Sequence, residues 1–230
     1  MLKLIKLELV KNKFGWYIKS AIIANILMTA ILCFIMYITQ KEGDLIVTTH
    51  QDAFILIGAM VRATFIVFAA VLIAKIVIEE YKNKTILIMF SYPVNRKKMI
   101  ASKLLITSAL TFITMLLTNI IVGGLFTIIN DYYHFVPFSI TASQYFTEVF
   151  KMIPYSMAST GISLIPLYFG MRKFSVPTTI FSSLLVVMIA CSTNPVFSMV
   201  TIIPFQLGLA VIGVMNAYLA IRNIEKEDVI

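Results

Sequence analysis

Long apolar runs separated by short polar stretches fill this chain from end to end. A helix needs about 20 apolar residues to cross a hydrocarbon core of about 30 Å at 1.5 Å per residue. Six segments approach that length: 18–39, 53–78, 104–129, 152–169, 176–193 and 199–221. Only Asn194, Pro195, Val196, Phe197 and Ser198 separate the last two. The runs are continuously apolar instead of alternating, which predicts helices and argues against barrel strands. The expected fold class is an all-α membrane protein, with six transmembrane helices in one domain over residues 1–230.

The polar stretches between the runs predict an orientation, because Lys and Arg are retained on the cytoplasmic side. One side collects Lys3, Lys6, Lys11, Lys13 and Lys19, then Lys82, Lys84, Arg96, Lys97, Lys98 and Lys103, then Arg172, Lys173, Arg222 and Lys226. The other side has Lys41 and Lys151, while Arg62 and Lys75 lie within the second run. Both termini are therefore expected in the cytoplasm. Trp16 and Tyr17 at the entry to the first run, and Tyr132, Tyr133 and Phe135 beyond the third, suit the headgroup level.

Residues 1–14 mix Leu, Ile and Val with Lys, as expected of an amphipathic helix on the inner leaflet whose lysines snorkel to lipid phosphates. Leu2, Ile5 and Leu9 form a stripe. Leu4 and Leu7 fall on other faces, so a simple positive flank is the competing reading. A signal peptide is disfavoured, since Met36-Tyr37-Ile38-Thr39-Gln40 has no small residues for a cleavage site.

Composition narrows the function classes. With 60% hydrophobic and 13% charged residues, the solvent for most of the chain is lipid. The net charge of +8 does not imply nucleic acid, because the basic residues flank apolar runs instead of forming one solvated face. Cys33 and Cys191 lie inside apolar runs and imply neither a disulfide framework nor a metal site. His50 and His134 sit in different loops and lack the helical pairing of a metallohydrolase. No glycine opens a phosphate cradle, so no cofactor is expected on this chain. Glu79-Glu80 with Lys84 faintly resembles the signature of the CAAX-type intramembrane proteases, but Lys replaces Arg and no run contains a histidine.

A few polar residues lie where lipid is expected. Arg62 is well inside the second run, where a guanidinium costs about 2.5–3.5 kcal/mol. It is expected to line a substrate path or a subunit interface, or else to snorkel outward; Lys75, nearer the inner end, is expected to snorkel. Glu148 and Lys151, three apart, predict an ion pair at the outer interface. Pro154, Pro166 and Pro204 are kink candidates, and Gly123-Gly124 is a candidate close helix approach.

The longest polar stretch, 79–103, carries the most information. Ile86, Leu87, Met89 and Phe90 are apolar at helical spacing, and Pro93 ends that short helix by restricting Tyr92 and lacking an N–H. Glu80, Thr85, Ser91, Pro93, Val94, Arg96 and Lys103 follow the order found between the second and third spans of type-2 ABC exporter permeases. Lys84 stands where the family has a glycine. The chain resembles that family in this motif, in its run count and in its length.

The resemblance implies that 79–103 carries a coupling helix seated in a cleft of a separate ATPase subunit. Glu80, Thr85, Leu87, Phe90, Pro93 and Arg96 would make the contact. ATP and Mg would be bound by that partner, and a second permease copy or a homologue would complete the assembly in a bacterial cytoplasmic membrane. Family cargoes imply export of amphipathic antimicrobial peptides, toxins or drugs, or self-immunity. An ion-coupled transporter or channel without an ATPase is the alternative; it calls for several buried titratable groups.

Overall fold

The computed structural model describes Glu8 and residues 15–42, 49–83, 96–133, 140–192 and 201–223. These are helical with short connections, and no strand occurs among them. The elements are α1 (Gly15–Glu42), α2 (His50–Ile73), a π-helical turn (Ala74–Ile78), α3 (Glu79–Lys82), α4 (Arg96–Tyr133), α5 (Ala142–Ile162), α6 (Ile165–Lys173), α7 (Val176–Ala190) and α8 (Ile203–Asn223).

The stretch His50–Lys82, together with α1, α4 and α8, supplies four helices long and apolar enough to cross a membrane, and α7 is a shorter apolar helix. The fourth apolar run, expected as one span over 152–169, differs in detail. Its helix starts earlier, at Ala142, and breaks at Ser163 and Leu164 before α6. Pro166 lies in the first turn of α6, where the missing N–H costs no helical bond. Pro204 likewise falls in the opening turn of α8, whereas Pro154 is inside α5.

Helix α2 is the central element, packed on α4, α5 and α7. It buries Ala53, Phe54, Ile57, Gly58, Val61, Arg62, Phe65, Ile66, Ala69 and Ala70, a wide face repeating every three to four residues. Thr49 starts it with a capping box: its hydroxyl accepts from the Asp52 N–H at 3.3 Å, and the Asp52 carboxylate accepts from the Thr49 N–H at 3.0 Å. Thr49→Ala is expected to cost about 1 kcal/mol, measurable as a lower melting temperature of the purified protein.

Two buried apolar clusters mark opposite ends of the bundle. One gathers Met28 to Met36, Ala53 to Ile66, Val122, Phe126 and Met152. The other gathers Tyr17, Leu72 to Tyr81, Met99 to Leu104, Leu167 and Ala220. The chain therefore runs up α1, down α2, up α4, down through α5 and α6, up α7 and down α8. The outside is apolar as well, with Ile22, Ile26, Phe34, Ile113, Phe181 and Met188 exposed. Apolar side chains in that position need lipid around them.

Helix packing relies on one close backbone contact that the sequence reading did not single out. A Cβ added to Gly213 of α8 would collide with the Gly161 carbonyl of α5, and one added to Gly161 would come within 2.8 Å of the Ala210 Cβ. Gly123 instead faces the rings of Phe54 and Tyr145.

Candidate functional site

At the end of the bundle marked by Tyr17 and Tyr81, Lys103 is fully buried in α4, two turns past its start. Its ammonium lies 2.5 Å from the Glu80 carboxylate and 3.4 Å from that of Glu8, and donates to the Ile76 carbonyl at 3.1 Å. Of its three N–H donors, one is taken by the Ile76 carbonyl and one by Glu80, and Glu8 adds a second negative charge within ion-pair distance. The Ile76 carbonyl belongs to the π-helical turn, where Glu79 N–H reaches back five residues to the Ala74 carbonyl. Such turns are rare and concentrate at functional sites.

This cluster joins three parts of the chain. Glu8 comes from the amino-terminal segment, Glu80 from the end of the second long helix and Lys103 from the start of the next. Glu80 and Lys103 are also the first and last matched positions of the motif. Together they clamp the base of the polar loop between the two helices. Thr85, Leu87, Phe90 and Pro93 lie outside the described residues, as does the expected short helix that carries them. Residues 1–14, apart from Glu8, also lie outside. Arg96 opens α4.

The second site lies toward the opposite end. A cavity of about 190 Å³ separates α2, α4 and α5 and is lined by Arg62, Asn119, Glu148, Lys151, Tyr155 and Ser156, among others. Arg62 is buried, with its guanidinium 5.1 Å from the centre of the Tyr155 ring. The Tyr155 hydroxyl donates to the Thr201 carbonyl at 2.7 Å, which holds the ring in place. Asn119 donates to the Ser156 hydroxyl at 3.2 Å, while its own carbonyl oxygen has no partner among the described residues. Glu148 is buried and paired with Lys151 at 2.7 Å; the lysine side chain is half exposed.

Sequence spacing suggested the Glu148–Lys151 pair and placed Arg62 in the bilayer, and the fold brings all three to one cavity. Lys75 takes a different position, with its exposed amine 4.5 Å from the centre of the Trp16 ring. Glu8, Asn119, Ser156 and Tyr155 were not identified as site residues from the sequence. Glu8 did have a signal, as the one acidic residue among the lysines of its segment. Among the described residues no group of His, Cys, Asp and Glu is arranged to hold a metal ion.

A chain whose described residues form helices with apolar side chains turned outward and polar clusters turned inward is a multi-pass membrane protein. It belongs to the ABC-2 transporter family: residues 4–188 match the family described as "ABC-2 family transporter protein". A relative in Bacillus subtilis (strain 168), "Uncharacterized protein YcbO", is 45% identical over 227 residues, which cover 99% of this chain and 100% of that one. No solved structure matches. Permeases of this family are membrane components and in general not themselves catalytic.

Proposed function

We propose that this chain is the transmembrane permease of an ATP-driven exporter, working with a separate ATPase subunit that binds ATP and Mg. The observation that carries the reading is the Glu8–Lys103–Glu80 cluster. It lies at the base of the loop that bears the family motif, and it ties that loop to the amino-terminal segment and to two long helices. A force applied to the loop by a partner would reach both helices at once. Residues 79–103, with Leu87 and Phe90 as apolar anchors, are the coupling segment in this reading.

Six crossings follow if α5 and α6 together form one broken span and α7 another. Lys82, Lys97, Lys98, Arg172, Lys173 and Arg222 then share one side, which the positive-inside rule assigns to the cytoplasm together with both termini. A second permease, identical or homologous, completes the assembly. The cargo class is amphipathic peptides, toxins or drugs, moved out of the cell or membrane.

The test is mild-detergent purification from the native membrane with an ATP hydrolysis assay. A stoichiometric ATPase subunit is expected. In that complex Phe90→Asp or Arg96→Ala should lower transport about tenfold or more while the free ATPase subunit keeps its activity. Full coupling in both variants would overturn the role of the loop. Reproducible absence of an ATPase would favour ion-coupled transport, for which the burial of Arg62 and Glu148 at one cavity is the supporting observation.

A further inference from the structure

The groove between α1 and α4 encloses about 590 Å³, and one polar group in its wall has no partner among the described residues. We propose that the groove holds an aliphatic molecule with an uncharged hydrogen-bond donor, an amide N–H or a hydroxyl, within its apolar body, and that Asn25 accepts from that donor. Movement of such a molecule across the membrane rests on the exporter reading; its binding does not.

The polar side chains of the groove differ in what they meet. Thr114 donates its one hydroxyl hydrogen to the Leu110 carbonyl at 2.8 Å, so it accepts from the Tyr17 hydroxyl at 3.1 Å, and the two satisfy each other. Asn25 is only 8% exposed, and its side-chain oxygen meets no donor among the described residues. The nearby Thr29 hydroxyl is spent on the Asn25 backbone carbonyl, at 2.9 Å. An unpaired carbonyl inside an apolar bundle is costly, and the soft terminal torsion of asparagine lets a small turn bring the oxygen to the groove. Asn25 lies eight residues beyond Tyr17, about 12 Å along α1 at 1.5 Å per residue, well below the headgroup level that Trp16 marks. Phospholipid chains and esters carry no donor at that depth, so ordinary bilayer lipid would fill the groove and leave Asn25 unsatisfied. Pairing of Asn25 with its own copy across a two-fold axis would need the side chain at the surface, where it is not.

Size and wall chemistry define the rest of the ligand. Sites for small organic molecules enclose about 300–1,000 Å³, and this groove falls within that range. Its wall is aliphatic, with Ile18, Ile22, Leu105, Ile113, Leu117 and Ile121 along it. Each of these is about half exposed on the bundle surface, so a ligand enters sideways from lipid. None of the described residues lining the groove is charged, and a charged head would lose its hydration there without gaining a partner. The part of the ligand recognised here is therefore neutral, with its donor set among methylenes.

The test uses the full chain in phosphatidylcholine nanodiscs without nucleotide. Four probes of similar length are compared, each with a diazirine near one chain end: N-octyloctanamide, its N-methyl derivative, octyl octanoate and hexadecan-8-ol. The first and last carry a donor, and the other two do not. At least one donor probe should label the segments 18–25 and 105–121 saturably, at a half-saturating concentration about tenfold below those of the ester and the N-methyl amide. Asn25→Leu should raise that concentration to the ester's value and leave the ester's unchanged, a result that loss of the fold would not give. Ala109→Phe, at an exposed position of the groove, should remove saturable labelling by all four. If Asn25→Leu melts early, the wild-type comparison together with Ala109→Phe decides. Equal values for all four probes, an unchanged donor preference in a folded Asn25→Leu, or full labelling in Ala109→Phe would overturn the proposal.

Tighter labelling by the amide would identify an amide-bearing ligand such as an acylated peptide, and tighter labelling by the alcohol a hydroxylated chain; either supports the neutral-donor class. Disulfide formation between one copy carrying Ile22→Cys and another carrying Leu117→Cys, not competed by the amide, would make a second permease the occupant and overturn the proposal. Since the assay contains no ATPase, binding found alongside failed capture of an ATPase would count against the exporter reading alone. A captured ATPase with no donor preference would count against this inference alone.

Discussion

Replacing Lys103 with methionine is expected to destabilise the protein by about 3–5 kcal/mol, the range for removing one member of a buried ion pair. The methylene stem would be replaced nearly isosterically, so packing is preserved and the charge is what is lost. Glu80 and Glu8 would both lose the Lys103 ammonium, and the Ile76 carbonyl would lose its donor. Abundance in the membrane and melting temperature in detergent should both fall sharply. Adding Glu80→Gln and Glu8→Gln to Lys103→Met removes both carboxylate charges as well and should recover much of the stability, as replacing a whole buried ionic group often does. That triple variant separates two roles of the cluster. If the cluster also transmits force from the loop, the triple variant should fold and still transport poorly. Normal transport in it would confine the cluster to a structural role.

Gly213→Ala is expected to cost about 2–3 kcal/mol, although alanine is the better helix former. The added methyl group has no free volume, because the Gly161 backbone of α5 already occupies its place. The two helices must separate or α8 must rotate, and either shift disturbs the Gly161–Ala210 contact one turn away. Gly208 on the same helix is the control: a Cβ there meets nothing within 4 Å. Gly208→Ala should change stability by less than about 0.5 kcal/mol. Parallel melting curves of the two variants check the pair, and equal effects would mean that α8 does not rest on α5 through this contact.

Hydrophobic periodicity located most of the long helices well, because a run of about 20 apolar residues has few alternatives once lipid is the solvent. The apolar runs at 18–39, 53–78, 104–129 and 199–221 correspond to α1, to α2 with its π-helical turn, to α4 and to α8. The helix α5 begins ahead of the fourth apolar run, as the spacing of Glu148 and Lys151 on one helix turn before it suggests. Its first half carries Ser143, Gln144, Thr147, Glu148 and Lys151, too polar to register as a span, and one face of it is satisfied by partners rather than by lipid. The break at Ser163 and Leu164 falls just before Pro166, one of the kink candidates, which sits in the first turn of α6.

The site followed the same division. Residue types and their order announced the motif from Glu80 to Lys103, and the burial cost of a guanidinium singled out Arg62 before any contact was known. Pairing was not contained in that order. That Lys103 meets Glu80 across 23 residues and also reaches Glu8 depends on how α4 packs beside the π-helical turn. That Arg62 shares a cavity with Glu148, Asn119 and Tyr155 depends on how α5 packs against α2 and α4. The membrane class, the helical fold and the family motif are properties of composition and local spacing, which lipid and the backbone constrain strongly. Which buried charge finds which partner is a property of helix packing. In lipid that packing is decided by small-residue contacts such as Gly161 against Gly213, too sparse in sequence to reveal their partners until the helices are assembled.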